Sequence, residues 1–292
     1  MRKATQLKKL IEAPEILVMP AVYDGISSRI AVDCGFKALQ CSGLAIAASL
    51  GLPDVSIVSM REMADRTRAI VDSVDVPVMG DGDTGYGNAV NAWFTVQAFE
   101  QAGAAGINLE DQVLPKRCGH LDGKEIVSLE EMALKVAAAV DARSDPHFVI
   151  NARTDAYSIE GLEGVFRRCN SYLEAGATMV FVEGDLTREE IRTLARGLRG
   201  PLALNMIEGP NLDGSLDFEV LQELGVARVS LSVTALLGAM KGIRGALEHA
   251  YTRRRIKADP DIVADFSAAH ALAGMDKALD LEARFVAGKL EK

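Results

Sequence analysis

The sequence predicts an α/β protein, a (β/α)₈ barrel of the TIM type, on three observations. Short apolar runs alternate with longer segments of helical period along most of the 292 residues, in eight pairs. The runs lack polar alternation, as parallel strands buried on both faces do. Polar residues recur just past the ends of these runs, and in a barrel those positions surround one mouth. A doubly wound open sheet is the alternative, but no G-x-G-x-x-G motif follows the first strand.

The predicted elements follow one another in strict alternation. The strands are the apolar runs Ile16–Pro20, Ala38–Ser42, Val76–Asp81, Gly106–Glu110, Phe148–Arg153, Met179–Glu183, Pro201–Met206 and Ala227–Ser232. The helices are the segments Gly25–Cys34, Ser59–Val74, Ala89–Ala102, Ser128–Ala142, Gly161–Ala175, Thr187–Leu198, Asp217–Leu224 and Ala235–Tyr251. A left-handed residue commonly ends a helix, and a glycine follows four of these segments: Gly35, Gly103, Gly176 and Gly225.

The end of the chain exceeds what a closed barrel needs. Two further helical segments, about Pro260–Leu272 and Met275–Leu290, follow a basic patch at Arg253-Arg254-Arg255. We expect one barrel domain over residues 1–292, since barrels of this type often exceed the usual domain size. The extension from about residue 253 to residue 292 is expected to pack on a neighbouring subunit rather than to form a second domain.

Composition and charge narrow the class of protein. The net charge of −9 disfavours nucleic acid or an anionic membrane as a partner, although a local basic cluster can still bind an anionic substrate. The N-terminal residues lack the apolar core of a signal peptide, and no stretch reaches about 18 uncharged apolar residues. Four cysteines without a C-x-x-C spacing are typical of reduced thiols, so we expect a cytoplasmic protein.

One cysteine lies in a basic loop, Lys116-Arg117-Cys118-Gly119-His120. The nearby cations favour the thiolate of Cys118 over the thiol, which indicates a catalytic residue. A buried structural cysteine is the alternative, but Lys116, Arg117 and His120 would be costly to bury together. His120 could instead be an ordinary loop histidine outside the site.

Three carboxylates follow neighbouring strands: Asp81 and Asp83 after one, and Glu110 at the end of the next. Hard oxygen ligands of this kind suit Mg²⁺ or Mn²⁺, which keep coordination positions open for substrate oxygens. Zinc is disfavoured because His120 is the only histidine near them in the sequence. By themselves Asp81 and Asp83 could form a polar turn that caps a helix. A cation beside an activated thiol indicates an enzyme that forms and protonates a carbanion or enolate.

Other candidate binding residues lie at or just past strand ends: Ser42, Gly43, Leu44, Arg153, Glu183, Asn205 and Ser232. Arg153 could bind a substrate carboxylate with its guanidinium fork, or form an ion pair within the barrel. The Ser42-Gly43-Leu44 segment offers a hydroxyl and backbone N–H groups to a second carboxylate, or is an ordinary turn. Glu183 and Asn205 could line the site or make ordinary hydrogen bonds in the core.

Taken together, these segments resemble the isocitrate lyase and phosphoenolpyruvate mutase superfamily along nearly the whole chain. The loop from Lys116 to His120 is similar to the signature of methylisocitrate, 2,3-dimethylmalate and isocitrate lyases. The supporting blocks are Ser42-Gly43, Leu50–Asp54, Asp81–Gly85, Leu109–Gln112, Ala152–Asp155 and Asn205–Gly209. The combination is specific for the superfamily and much less specific for the substrate.

The resemblance implies an assembly and a cofactor. The final helix would be exchanged between subunits, usually in a homotetramer built as a dimer of dimers. Mg²⁺ would be held by Asp81 and Asp83, with Glu110 acting through water, and Mn²⁺ is possible in its place.

The resemblance also implies a reaction, the Mg²⁺-dependent cleavage of a carbon–carbon bond in a small 2-hydroxy di- or tricarboxylate. A substrate such as 2-methylisocitrate or 2,3-dimethylmalate would yield a 2-oxo acid such as pyruvate and a carboxylate. Cys118 would protonate the enolate. It would lie on a loop that closes over the substrate and that also carries Gly119 and the basic residues Lys116, Arg117 and His120. Asp54 would lie on a neighbouring mobile segment, and Tyr23 is a weaker candidate for handling the hydroxyl proton.

Some residues depart from that pattern. Gly82 stands where alanine is more usual, and the last strand reads Ser230-Leu231-Ser232 where many methylisocitrate lyases have Tyr-Pro. These departures favour a 2-alkylmalate as substrate. The Ser42–Ile46 segment is similar to the equivalent loop of phosphoenolpyruvate mutases. Asn88, Trp93 and the run Leu281–Val286 are similar to carboxyphosphonoenolpyruvate mutase, so a phosphonate P–C bond enzyme is one alternative. An oxaloacetate-cleaving hydrolase or decarboxylase is another, and a catalytically idle barrel kept for assembly or ligand sensing is a third.

Overall fold

Parallel strands close into a barrel in the computed structural model, which describes residues 1–119, 123–206, 216–254 and 259–286. The strands are β1 Leu17–Val22, β2 Leu39–Cys41, β3 Val78–Asp81, β4 Gly106–Glu110, β5 Val149–Thr154, β6 Met179–Val182, β7 Leu202–Met206 and β8 Arg228–Leu231. Each strand pairs with the next along the chain, and β8 pairs back with β1. The predicted barrel is confirmed, and every strand end lies within two residues of its predicted position.

Twelve helices accompany the strands in the part of the chain that the structure describes. They are α1 Lys3–Ile11, α2 Gly25–Asp33, α3 Gly43–Ser49, α4 Met60–Val71, α5 Ala89–Gln101, α6 Leu129–Ala142, α7 Tyr157–Glu174, α8 Arg188–Gly197, α9 Phe218–Leu224, α10 Thr234–Arg253, α11 Phe266–Ala273 and α12 Met275–Phe285. Two of them, α1 and α3, lie outside the predicted elements. None of the described helices is long and apolar enough to cross a membrane.

Local signals set the helix ends. The predicted left-handed glycines are confirmed, with φ of 96° at Gly35, 87° at Gly103, 101° at Gly176 and 95° at Gly225. Helix α7 begins four residues before its predicted start because helix continues on both sides of Gly161, whose φ of 66° makes a kink.

Helix α1 covers the barrel end opposite the mouth. Its Leu7 and Ile11 share a buried apolar cluster with residues at strand starts, among them Leu17, Ala38 and Val149. The helices around the barrel pack on the outer faces of the strands in a second apolar cluster. Since the starts of the strands are sealed, the open end is the one where the strands finish.

The chain divides into two compact units, Met1–Ala235 and Leu236–Lys292. The first unit contains all eight strands. The second contains most of α10 together with α11 and α12, which supply the predicted helices beyond the barrel. Helix α10 carries exposed apolar side chains at helical spacing: Leu237, Met240, Ile243, Leu247 and Tyr251.

Candidate active site

The strand ends bring most of the predicted site residues to the open mouth of the barrel. Carboxyl ends of parallel strands meet at one edge, so side chains placed there converge without any other guidance. Each of the following lies within one residue of the end of its strand: Ser42, Asp81, Glu110, Arg153, Glu183, Asn205 and Ser232.

Backbone N–H groups from the start of α3 and from the loop after β3 hold Asp81. The N–H of Gly43 at the start of α3 donates to Asp81 Oδ2 at 2.9 Å, and the N–H of Asp83 donates to Oδ1 at 3.3 Å. A Cβ on Gly43 would lie 2.8 Å from Asp81 Oδ2, so this approach requires glycine. The predicted Ser42-Gly43-Leu44 segment is therefore a helix start that serves a carboxylate of the protein, with Leu44 half-buried.

Lys116 reaches into the same group of carboxylates. Its Nζ lies 2.9 Å from Asp54 Oδ1 and 3.0 Å from Asp83 Oδ1, and its side chain is only 5% exposed. Burial alone would lower the pKa of Lys116, but Asp83 and Glu110 hold it well above its usual value. Burial raises the pKa of Asp83 to about 6, against the opposing effect of Lys116. The loop lysine therefore stays charged and compensates part of the buried negative charge.

Glu110 adds a carboxylate whose Oε1 is buried and accepts no hydrogen bond within the described residues. Burial raises the pKa of Glu110 well above its usual value. The carboxylates of Asp54, Asp81, Asp83 and Glu110 surround the ammonium group of Lys116, and Arg153 Nε lies 3.5 Å from Glu110 Oε2. A divalent cation would relieve their repulsion, and hard oxygen donors of this kind fit Mg²⁺ or Mn²⁺.

The carboxylates do not form a closed cage. Among residues 1–119, 123–206, 216–254 and 259–286, no three His, Cys, Asp or Glu side chains converge closely enough to enclose an ion by themselves. Water and substrate oxygens would have to complete the shell, and Mg²⁺ commonly keeps several such ligands.

Arg153 is oriented by a carboxylate two residues along the chain. Its Nε and Nη2 donate to Asp155 at 2.9 Å and 3.0 Å, a bidentate pair. Its Nη1 faces Glu183 Oε2 at 3.4 Å, and Asn205 Nδ2 donates to the same Glu183 oxygen at 3.2 Å. The guanidinium is thus fixed in place with Nη1 directed to the other wall of the mouth.

A buried network behind β5 holds Asp155 in turn. Asp111 Oδ1 accepts a hydrogen bond from the N–H of Asp155 at 2.9 Å, and its Oδ2 accepts one from Tyr172 at 2.8 Å. Arg168, on α7, donates to Asp111 Oδ2 at 3.3 Å and to the carbonyl of Val127 at 3.0 Å. Since these groups are buried and paired, they give the Arg153 side of the site a rigid base.

The loop that carries Cys118 is clamped at its start by Gln112. The Gln112 amide donates to the carbonyl of Arg117 and accepts from its N–H, both at 2.9 Å. Cys118 is partly exposed. The following residue, Gly119, packs against Arg153 so closely that a Cβ would lie 2.3 Å from Nη2. The predicted His120 lies outside the described residues.

Three predicted residues, Ser42, Ser232 and Tyr23, have fewer contacts with the rest of the site. Ser42 Oγ donates to the carbonyl of Ser232 at 3.3 Å, and Ser232 Oγ is buried without a partner among the described residues. Tyr23 follows β1, and burial together with Asp24 raises its pKa. Within the described residues, no hydrogen bond or ion pair joins the Tyr23 side chain to the carboxylates.

Sequence reasoning missed some residues of the site. Tyr86 has a left-handed φ of 59°, and its buried hydroxyl has no partner among the described residues. Burial and Asp83 raise its pKa well above the usual value, so the hydroxyl stays protonated. Its position between Gly85 and Gly87 was an available signal of unusual backbone. Lys124 was also missed, because its contact with Asp155 joins residues 31 positions apart, which no local pattern reveals.

Comparison with known proteins gives a consistent result. A family model described as phosphoenolpyruvate phosphomutase matches residues 7–251. The chain is 37% identical over 292 residues to a 2,3-dimethylmalate lyase of Eubacterium barkeri, covering 99% of this chain and 100% of the relative. It is 42% identical over 240 residues to a 2-methylisocitrate lyase of Aeropyrum pernix, covering 82% of this chain and 77% of the relative.

Solved structures with the same architecture extend the comparison. An oxaloacetate acetylhydrolase in complex with 3,3-difluorooxalacetate matches with a TM-score of 0.90 and 31% identity, covering 99% of this chain and 98% of the other. A phosphonopyruvate hydrolase in complex with oxalate and Mg²⁺ matches with a TM-score of 0.88 and 28% identity, covering 98% of this chain and 100% of the other.

Proposed function

Because this chain belongs to the phosphoenolpyruvate mutase and isocitrate lyase superfamily and is an enzyme of its lyase group, we propose that it cleaves the C2–C3 bond of a small 2-hydroxy di- or tricarboxylate. The 2,3-dimethylmalate lyase matched along its whole length favours a 2-alkylmalate as substrate, with a 2-oxo acid such as pyruvate as one product.

The observation that carries this proposal is the pairing of two different surfaces at one mouth. On one side, burial raises the pKa of Asp83 and of Glu110, so their charged forms are destabilised and a divalent cation would stabilise them. On the other side, the backbone next to Cys118 packs against Arg153. A chelated 2-hydroxy acid would therefore lie between a cation, a fixed guanidinium and a thiol.

Asp81, Asp83 and Glu110 are the residues that would hold the cation, and we assign Mg²⁺ with Mn²⁺ as a substitute. When bound, such an ion supplies Lewis acidity, lowering the pKa of the substrate hydroxyl and polarising its carboxylate. The donors are all oxygen, which supports these hard ions over zinc. Lys116 neutralises part of the remaining charge from its position beside Asp83.

The residues of the chain handle the bond cleavage as follows. The C2 hydroxyl gives its proton to a water molecule in the mouth, and C2 becomes the carbonyl carbon of a 2-oxo acid as the C2–C3 bond breaks. The bond's electron pair passes to C3 and spreads into the adjacent carboxylate as an enolate. Arg153 stabilises the negative charge of the bound substrate. Cys118 then transfers its S–H proton to C3, which completes the second product as a carboxylate.

Tyr23 fits a hydrogen-bonding role better than that of a base. Because its pKa is raised, its hydroxyl stays protonated at neutral pH and can donate to a substrate oxygen.

We further propose a homo-oligomer, built as a tetramer, and a cytoplasmic location. The exposed apolar stripe of α10 from Leu237 to Tyr251 supports burial against another subunit. A thiol acid such as Cys118 must stay reduced, which favours a reducing compartment. The small anionic substrate is the expected partner in the site.

Oxaloacetate cleavage is the second candidate function. The oxaloacetate acetylhydrolase with a TM-score of 0.90 supports it, since the two barrels correspond over nearly their full lengths. Phosphonopyruvate is a third candidate substrate class because its hydrolase has the same fold.

One assay separates these candidates. With Mg²⁺ present, release of 2-oxo acid is measured from 2,3-dimethylmalate, 2-ethyl-3-methylmalate and 2-methylisocitrate. Release of oxalate is measured from oxaloacetate, and release of inorganic phosphate from phosphonopyruvate. Turnover of a malate or isocitrate supports the lyase. Exclusive turnover of oxaloacetate or of phosphonopyruvate replaces it with the corresponding hydrolase.

A further inference from the structure

Lys124 joins the Cys118 loop to the support of Arg153. Its Nζ donates to the carbonyl of Gly119 at 2.6 Å and to Asp155 Oδ1 at 3.3 Å, and its side chain is only 8% exposed. The same Asp155 holds Arg153 through two hydrogen bonds. One buried ammonium group therefore connects the backbone directly after Cys118 to the carboxylate that orients the guanidinium.

The loop backbone and the guanidinium fit together without spare room. A Cβ on Gly119 would lie 2.3 Å from Arg153 Nη2 and 2.9 Å from Glu183 Cγ. Gly119 is not among the glycines with left-handed φ, so contact rather than backbone conformation requires glycine here. The structure thus gives Gly119 a role in seating the loop, besides the predicted contact with substrate.

Asp155, the carboxylate to which Lys124 is bonded, is itself held rigidly. Asp155 is fully buried and its N–H is held by Asp111, which Tyr172 and Arg168 hold in turn. Hydrogen bonds between charged groups in such a buried setting are strong and directional. Lys124 therefore links a loop to a rigid anchor.

We propose that Lys124 is a positioning residue, which holds Gly119 and with it the Cys118 thiol against Arg153. The consequence for turnover rests on the proposed function, because it requires Cys118 to act as the acid. The positioning itself belongs to the folded chain and can be measured without any substrate.

The division of contacts determines which kinetic parameter responds. Arg153 keeps both hydrogen bonds to Asp155 when Lys124 is replaced, so substrate binding changes little. The replacement removes the hydrogen bond to the carbonyl of Gly119, the residue after Cys118, so the thiol can shift. A displacement of a reacting group by about 1 Å can lower the rate about 100-fold. Lys124→Met should therefore lower kcat by roughly 10–100-fold with KM within about threefold of wild type.

The direct test measures the exposure of the Cys118 thiol. Native protein with Mg²⁺ is treated with iodoacetamide, and the rates at Cys118 and at exposed Cys34 are followed by peptide mass spectrometry. In Lys124→Met the ratio of the Cys118 rate to the Cys34 rate should rise by about tenfold, and Lys124→Arg should return it toward the wild-type value. Lys135→Met is the control, because this lysine of α6 is also buried (3% exposed) but contacts Glu131 and the carbonyl of Thr84 instead of Gly119, and it should leave the ratio unchanged.

Buried cysteines report whether a variant has unfolded. Cys41 and Cys169 are buried and should stay unreactive in a folded variant. If they react in Lys124→Met, then Gly119→Ala decides the question, because its Cβ blocks seating on Arg153 while leaving the lysine in place. If Lys124→Met is folded and its ratio of Cys118 to Cys34 rates equals that of wild type, the proposal is overturned. Where Gly119→Ala is used instead, an unchanged ratio in that variant overturns it. A Lys124→Arg variant whose Cys118 reacts as fast as in Lys124→Met overturns it as well. Failure of the wild type on every substrate, with these ratios as expected, would remove the lyase proposal and leave this one standing.

Discussion

Lys116 Nζ lies 3.0 Å from Asp83 Oδ1, which places an ammonium group among the carboxylates proposed to hold a cation. Lys116 and a divalent ion should therefore compete for the same negative charge. Lys116→Gln should bind Mg²⁺ about tenfold more tightly, which corresponds to ~1.4 kcal/mol of binding free energy. The repulsion between two like charges about 4 Å apart near a protein surface is several times larger than this, so its removal is sufficient. Lys116→Gln should also turn over substrate more slowly.

Calorimetric titration of Mg²⁺ measures this effect, with Lys116→Arg as the control that keeps the charge. Weaker binding of Mg²⁺ by Lys116→Gln would show that the lysine assists the ion instead of competing with it.

Gly43 provides a test of the Asp81 assignment. Its N–H holds Asp81, and a Cβ there would lie 2.8 Å from Asp81 Oδ2. Gly43→Ala should displace the carboxylate, weaken Mg²⁺ binding by about tenfold and lower the free energy of unfolding by about 1–3 kcal/mol. Gly25→Ala is the matched control, because a Cβ at Gly25 has ordinary room 3.6 Å from Ser73 Cβ. Equal Mg²⁺ affinity in Gly43→Ala and wild type would remove Asp81 from the proposed ligands.

Asp155 should make stability depend on acid pH. Although burial alone would raise its pKa, Arg153 and then Lys124 hold the pKa of Asp155 below its usual value. A carboxylate with a lower pKa in the folded state stabilises the protein fully above its unfolded pKa, about 3.9, and this contribution is lost as pH falls through the folded value. Asp155→Asn should cost roughly 1.5–3 kcal/mol at pH 7, and the cost should shrink below about pH 4.

Urea unfolding of wild type and Asp155→Asn at pH 7, 5, 4 and 3.5 measures the difference in their free energies of unfolding. A gap between the two curves that stays constant over the whole range would mean that the Asp155 charge does not contribute.

The four thiols should divide into two classes. Burial raises the pKa of Cys41 to about 12 and also raises the pKa of Cys169, so both remain unreactive thiols near neutral pH. Cys34 is exposed and Cys118 partly exposed. Iodoacetamide at pH 8 should modify two cysteines in the native protein and all four in urea. Modification of Cys41 in the native state would contradict the packing around β2.

Local sequence patterns were sufficient to predict the barrel fold. Apolar runs such as Gly106–Glu110 contain their own strand signal, and that strand has its predicted bounds. Helix α3 was missed because it is only seven residues long and begins with a glycine, and because its start is held by Asp81 from another strand. Helix α11 begins at Phe266, six residues after the predicted start, because Asp265 caps it by accepting from Ser267 N–H.

The positions of polar residues at strand ends predicted where the site lies, but they did not predict the residues that hold the site residues in place. Asp81, Glu110 and Arg153 were found because their positions at strand ends follow from the fold. The part played by Asp155 and by Lys124 could not be read in this way. Each acts through a contact between segments, such as the 3.3 Å pair that joins these two residues across 31 positions of chain. Pairings of that kind depend on packing rather than on spacing.

The most direct test of the central claim compares wild type and Cys118→Ser on whichever malate or isocitrate the wild type cleaves. Removing a general acid typically costs about 10²–10⁴-fold, because the enolate at C3 then lacks its proton donor. We expect 2-oxo acid release to require Mg²⁺, and to fall by that factor in Cys118→Ser while Mg²⁺ binds both proteins equally. Undiminished release by Cys118→Ser, or release that persists in EDTA, would contradict the account.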